Sequence, residues 1–177
     1  MTFDAEKEIN RLWKGIHSAQ DDIAKAHYRW RQAAIELAGA DVKPLDVSLK
    51  AAEITGAEIG KSFLARLNWL KGEPGWLMGL AGSLAGNWTN QGAVVAIDRG
   101  KDPYELFIKW DRCPWPTFAK EYEVNMEEDV LVCDRILETI LHDVNIFFDV
   151  EYKIETLKAI LRGQGVCLRR LYKVQGA

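Results

Sequence analysis

The sequence predicts an α+β fold in which N-terminal helices pack on a roughly four-stranded antiparallel sheet. Apolar residues recur at helical spacing through the first 90 residues, whereas two pairs of alternating segments flank one long helical stretch between 93 and 174. Helices followed by hairpins are typical of α+β domains. A chain of 177 residues corresponds to about one domain. We therefore expect a single domain over 1–177, with a helical half at 1–90 and a sheet-plus-helix module at 93–174.

The first helix is predicted to begin after Asp4, whose carboxylate can accept hydrogen bonds from the first turn, and to end at Ala38. If it is unbroken, it spans about 50 Å. A break near Ser18 and packing of its apolar side on the chain's own core are the alternatives. The apolar residues repeat about every 3.5 positions, as in a coiled-coil seam; they are Ile9, Leu12, Ile16, Ala19, Ile23, Ala26, Trp30, Ala33 and Leu37.

Two more helices are predicted before the sheet. A loop at 39–46 precedes a helix from Ser48 to Lys71, and the breaker at 72–75 precedes a third helix that ends near Asn87. The apolar stretch 76–86 is shorter than the ~20 residues that a membrane span needs, so no spanning helix is predicted. The third helix should approach another backbone closely at its glycines, Gly75, Gly79, Gly82 and Gly86.

The module after residue 93 is predicted to contain two hairpins with a long helix between them. Asn125 is expected to cap that helix, with Glu128 placed to complete a capping box. The remaining segments are strands at 93–97 and 104–113, a short helix at 117–123, and strands at 150–158 and 166–174.

Composition argues against several classes of partner. The net charge is -3, and no basic run or aromatic–basic interleaving is present, so neither nucleic acid nor anionic lipid is an expected partner. The first ten residues hold three acidic side chains and no apolar run, so no signal peptide is predicted. Three widely spaced cysteines do not suit a secreted disulfide framework. We therefore expect a cytoplasmic protein with reduced thiols and no membrane partner.

The three cysteines are candidates for chemistry. Cys113 ends a strand, Cys133 lies on the apolar stripe of the long helix, and Cys167 follows a double-glycine turn, so all three would meet at one end of the sheet. Such a trio would suit zinc or iron, but the close Cys-x-x-Cys pairs that usually mark metal sites are absent from the sequence. Three small buried apolar side chains are the alternative.

A polar row on the long helix offers a general base. Asp134, Glu138 and His142 are spaced four residues apart and therefore share one helix face. The row could bind a metal, or His142 could serve as base to a thiolate at Cys113 or Cys167. A solvated helix face with weak pairs is the alternative interpretation.

Aromatic residues are concentrated in the module. They could line an apolar pocket for a flat ligand, or they could form ordinary core. The candidate ligand-binding residues are Trp110, Trp115, Phe118, Tyr122 and Phe148.

These motifs together resemble a known family. A strand ending in Cys113-Pro114, a helix with Cys133 near its start, and Gly163-x-Gly165-x-Cys167 resemble the L-2-amino-thiazoline-4-carboxylic acid hydrolases. That family is similar to the 4-vinyl reductase type of small-molecule-binding domain. The similarity covers about 93–172 and implies hydrolytic opening of a thiazoline ring to an N-carbamoyl amino acid. It also implies that Cys113, Cys133 and Cys167 correspond to cysteines of that family. In the related binding domains, cysteines near the chain end bind zinc.

Two functions follow as hypotheses. The first is a hydrolase of a small cyclic or amide-like molecule, with catalytic residues Cys113, Cys167, His142 and Glu138. The second is a non-catalytic sensor or accessory domain with an apolar or aromatic pocket. In either case we predict a homodimer, because strands of this length span only ~17–33 Å, so the first helix should overhang the sheet. That dimer would bury Ile16, Ile23 and Trp30.

Overall fold

Helices occupy the first half of the chain, and the second half holds the strands of the sheet together with two further helices. The computed structural model describes residues 4–39, 41–67, 69 and 72–174. Within these residues the elements are α1 (Ala5–Ala38), α2 (Pro44–Leu67), α3 (Glu73–Asn90), β1 (Val94–Arg99), β2 (Glu105–Arg112), α4 (Trp115–Glu121), α5 (Met126–Phe148), β3 (Tyr152–Lys158), a short 3-10 helix (Ile160–Arg162) and β4 (Cys167–Lys173).

The strands form one antiparallel sheet in the order β1-β2-β4-β3. The two predicted hairpins join where β2 pairs with β4, which places Ile108 opposite Arg169 and Trp110 opposite Cys167. Alternate residues of β2 are buried on the inner face, as expected for a sheet that is covered on one side. The predicted α+β class, with a long helix between two hairpins, is confirmed.

The helices cover the inner face of the sheet in layers. Helix α3 packs on β1 and β2, and α5 packs on β3. Helix α2 lies on α5, and α1 lies outermost, in contact with α2 and α4. No helix among the described residues combines the length and apolar character that a membrane span requires.

Helix α1 is continuous, with no break near Ser18. The predicted cap is confirmed, since Asp4 Oδ1 accepts a hydrogen bond from the backbone N–H of Lys7 at 3.1 Å. The side chains that α1 buries are Ala24 and Tyr28, which are not members of the apolar seam. The seam stays largely exposed and does not pack on the chain's own core; Ile16, Ile23 and Trp30 are 45%, 59% and 76% exposed.

Two helices begin earlier than the sequence predicted. Pro44 is the first residue of α2 rather than part of a loop, because its missing N–H would be unpaired at that position anyway. Helix α4 likewise begins at Trp115, with Pro116 in its first turn. Helix α3 continues past its predicted end to Asn90. The predicted end of the second helix, Lys71, lies outside the described residues.

The close helix approach occurs at glycines of α2. A Cβ placed on Gly56 would lie 2.7 Å from Cβ of Thr139 and 2.9 Å from the carbonyl oxygen of Ile136, both on α5. A Cβ on Gly60 would lie 3.1 Å from Oδ2 of Asp143. Glycines one helical turn apart therefore bring the α2 backbone against α5.

The prediction that glycines of the third helix meet another backbone is wrong at the positions that can be compared. A Cβ on Gly75, Gly82 or Gly86 would meet no described atom within 4 Å. The sequence shows where glycine occurs along a helix, but not which face of that helix meets a neighbour.

Gly56→Ala should destabilise the protein. Alanine gains about 1 kcal/mol of helix propensity over glycine. Overpacking against the backbone of α5 costs more, so we expect a net loss of about 1–2 kcal/mol in the free energy of unfolding. Urea denaturation measures this change. The matched control, Gly82→Ala in α3, has open space for its Cβ and should stabilise the protein; equal effects from the two substitutions would contradict this account of the contact.

Candidate functional site

A cavity of about 440 Å³ lies between the helices and the inner face of the sheet. Its size falls in the range of roughly 300–1,000 Å³ that is common for small-molecule pockets. Helices α2 and α5 supply much of its apolar wall, through Ala52, Ile59, Val130, Val132 and Ile136.

All three cysteines line this cavity. Cys113 follows β2, Cys133 comes from α5 and Cys167 begins β4, so the structure brings them to one site. All three are free thiols. Within the described part of the chain, no group of three or more His, Cys, Asp and Glu side chains is arranged to hold a metal ion.

The surroundings of two thiols disfavour the thiolate. Burial raises the pKa of Cys113 well above its ordinary value, and the adjacent Cys133 adds to the shift. Burial also raises the pKa of Cys133 to about 12, although the positive charge of Arg169 opposes the change. Because the thiolate is the nucleophilic form of cysteine, both side chains are weak nucleophiles at neutral pH.

Helix α1 contributes polar groups to one edge of the cavity. The Tyr28 hydroxyl donates a hydrogen bond to Oδ1 of Asp129 at 2.8 Å. Burial raises the pKa of the Asp129 carboxyl, although the hydrogen bond from Tyr28 works against that shift. Burial also lowers the pKa of His27, and the charge of Arg31 adds to the effect. Both His27 and Asp129 line the cavity, so its wall carries an imidazole and a carboxyl group.

A largely buried ion pair joins three helices near this edge. The guanidinium of Arg31 donates two hydrogen bonds to the carboxylate of Glu128, at 2.7 and 2.8 Å. The Ser48 hydroxyl donates to the same carboxylate at 2.6 Å. The predicted cap Asn125 is confirmed, since its Oδ1 accepts from the N–H of Glu127 at 2.9 Å. The predicted capping-box role of Glu128 is wrong, because its carboxylate faces Arg31 and Ser48.

Arg169 is a buried charged residue that the sequence analysis missed. It is 2% exposed and donates to Oδ1 of Asp134 at 2.9 Å. Thr156 also donates to Asp134, at 2.6 Å, and the guanidinium lies 5.2 Å from the ring centroid of Trp110. Strand alternation could have predicted that Arg169 is buried, because it occupies the same strand face as Cys167 and Leu171.

The polar row predicted on α5, Asp134, Glu138 and His142, does not lie in one site. His142 is not in the cavity wall; its side chain is 71% exposed beside Asp143. Glu138 and Asp134 line a separate small pocket of about 60 Å³ together with Arg169. The structure therefore brings Cys113 and Cys167 together but leaves His142 and Glu138 outside the cavity that the cysteines share.

Two of the predicted aromatic residues lie at or next to the cavity. Trp115 lines it, and its Nε1 donates to Oε1 of Gln91 at 2.9 Å. Trp110 is buried next to it, with its ring 5.9 Å from that of Trp88, which also lines the cavity.

The other three predicted aromatic residues lie elsewhere. Phe118 and Tyr122 belong to a second apolar cluster under α1, in which Tyr122 stacks on Tyr28 at 5.5 Å. Phe148 stacks on Trp76 at 4.9 Å, and neither ring lines the cavity. Periodicity could assign these rings to the interior but could not distribute them between two clusters.

Comparison with known proteins finds similar solved structures but no matching family model. No protein-family model matches the chain, and no curated protein matches it. A structure of trafficking protein particle complex subunit 3 from Naegleria fowleri, covalently bound to palmitic acid, is similar to this one with a TM-score of 0.48. The two chains are 16% identical, and the alignment covers 88% of this chain and 97% of the other.

Proposed function

We propose that the protein is a non-catalytic small-molecule-binding domain, acting as a sensor or accessory subunit. The cavity of about 440 Å³ carries this proposal. Its wall is mostly apolar, with a few polar groups, which is the usual composition of a small-molecule site. The raised thiol pKa values of Cys113 and Cys133 further favour binding over nucleophilic chemistry.

The cavity should bind N-phenyl-1-naphthylamine, a neutral probe whose fluorescence rises in apolar surroundings. We expect saturable binding of one probe per chain. Val132→Trp should weaken that binding at least about tenfold, because an indole placed in the wall occupies space that the ligand needs. Val132 lines the cavity, whereas Leu131 beside it does not and is 38% exposed.

Leu131→Trp is therefore the matched control and should leave probe affinity unchanged. Equal affinities of Val132→Trp and wild type for the probe would place the binding site somewhere other than this cavity.

We also propose, as a second function, the ring-opening hydrolase that the sequence resemblance implies. The observation in its favour is that all three cysteines line one cavity together with His27 and Asp129. A thiol there would add to the electrophilic carbon of a C=N bond while a neighbouring base takes its proton. The ring C–S bond would then break, with the proton passing to the departing ring sulfur, and water would displace the cysteine to give the N-carbamoyl product. Because His142 and Glu138 lie outside the cavity wall, His27 or Asp129 would be that base.

The hydrolase proposal predicts turnover of 2-amino-thiazoline-4-carboxylate by the wild type. Cys113→Ser or Cys167→Ser should lower kcat/KM by about 100-fold or more if a thiolate is the nucleophile, because an alcohol is far less readily ionised. His142→Gln serves as the control and should retain activity, since its side chain is exposed. No turnover by wild type, or full activity in both cysteine variants, would remove this function.

The exposed seam of α1 supports the homodimer. Large apolar side chains are exposed at several of its positions, including Ile9, Leu12 and Ile16, and neighbouring Trp13 is 55% exposed. A contiguous apolar stripe on a helix usually marks an interface. We propose that two chains pair through this stripe.

We also propose a cytoplasmic location for the protein, which the three free thiols support.

Analytical ultracentrifugation should give a particle of twice the 20.1 kDa chain mass at micromolar concentration. Ile16→Asp should dissociate it, because the substitution places a charge in the apolar interface. Ser18→Asp adds the same charge to an exposed position outside the seam and should leave the dimer intact. A wild type that sediments as a monomer would end the dimer proposal.

A further inference from the structure

Two residues that line the cavity each carry a buried donor with no hydrogen-bond partner among the residues that the structure describes. The donors are Nε of Arg169, on β4, and Nδ2 of Asn87, near the end of α3. Arg169 is 2% exposed, so its guanidinium is shielded from bulk solvent. Buried donors are nearly always paired in folded proteins, because leaving one unpaired carries its full desolvation cost. The two N–H groups therefore indicate where a ligand would supply acceptors.

The Arg169 donor belongs to a side chain whose position is set by other contacts. The Arg169 guanidinium is held by its ion pair with Asp134 at 2.9 Å and by the Trp110 ring. The backbone at Asn87 is anchored by the next residue, Trp88, which is 5% exposed and packs on Trp110. A ligand acceptor would thus meet a guanidinium that needs little reorganisation, which favours binding.

The charges around the cavity restrict the ligand class. Among the described residues that line it, Arg169 is the one arginine or lysine, and Asp134 already balances its charge. The other titratable groups of the wall, besides the thiols, are Asp129 and His27. Because no unbalanced cation remains there, a carboxylate or phosphate would bury a second negative charge without compensation.

We infer that the cavity takes an uncharged, largely apolar molecule whose carbonyl oxygen accepts hydrogen bonds from Arg169 and Asn87. Ketones, esters and amides belong to this class. The inference rests on the proposed binding function and adds the chemistry by which the ligand is selected. The apolar part of the molecule would contact Ile59, Val130 and Ile136.

Three matched naphthalenes test the inference by displacing N-phenyl-1-naphthylamine. They are 1-(naphthalen-2-yl)propan-1-one, 2-propylnaphthalene and 3-(naphthalen-2-yl)propanoate. A wall without donors would prefer the hydrocarbon, since the ketone loses hydration when it enters. We expect the wild type to bind the ketone about tenfold more tightly than either the hydrocarbon or the carboxylate.

Asn87→Leu removes one donor and keeps a side chain of similar size. It should reduce the preference for ketone over hydrocarbon about fivefold while hydrocarbon affinity stays within about twofold. The unchanged hydrocarbon affinity shows that the variant is folded. Thr89→Leu is the control, because Thr89 lies on the same helix, is solvent-exposed and does not line the cavity, and it should leave the preference unchanged.

Arg169→Lys keeps a positive charge near Asp134 but removes the Nε donor, and it should also reduce the ketone preference. If the wild type binds the probe but prefers the hydrocarbon or the carboxylate, the inference is overturned while the binding function stands. An equal loss of preference in Thr89→Leu and Asn87→Leu would overturn it as well. If the wild type does not bind the probe saturably, the proposed function itself fails, and the inference fails with it.

Discussion

The close contact of α2 with α5 is the constraint on which the rest of the structure depends. At Gly56 the two backbones approach so closely that a Cβ would lie 2.9 Å from the carbonyl oxygen of Ile136. The same two helices form the apolar wall of the cavity, through Ala52 and Ile59 on α2 and Val132 on α5. The separation set at Gly56 therefore controls the width of the cavity. A bulkier residue there would move one wall relative to the sheet.

Helix α1 is held near its C-terminal half by polar contacts and by the apolar cluster that contains Ala24 and Tyr28. The pair of Arg31 with Glu128 is largely buried, so its attraction is partly offset by the cost of removing the charges from water. Its main effect is to orient α1, which places Tyr28 against Asp129 at the edge of the cavity. From residue 9 to 19 every side chain of α1 is exposed. One helix thus serves both the cavity and the apolar stripe of the proposed dimer.

The sequence by itself determined the fold class and the type of most elements. Alternation identified the strands of the sheet, and the Asp4 and Asn125 caps marked two helix starts correctly. These features are local, since a strand shows its period within a few residues and a cap within one turn. The overhang of α1 was also predictable, because helix length follows directly from residue count.

The tertiary structure alone decided which polar groups meet. Arg31 and Glu128 lie 97 residues apart in the chain, and nothing in the spacing around either residue identifies the other. Strand alternation could have placed Arg169 on the inner face with Cys167 and Leu171, but it could not have shown that Asp134 balances its charge. The spacing puts His142 on the same helix face as Asp134. Whether each side chain is covered or exposed, however, depends on distant segments of the chain that pack against the helix. Helical and strand periods are properties of one element, whereas burial and pairing are properties of how several elements pack together.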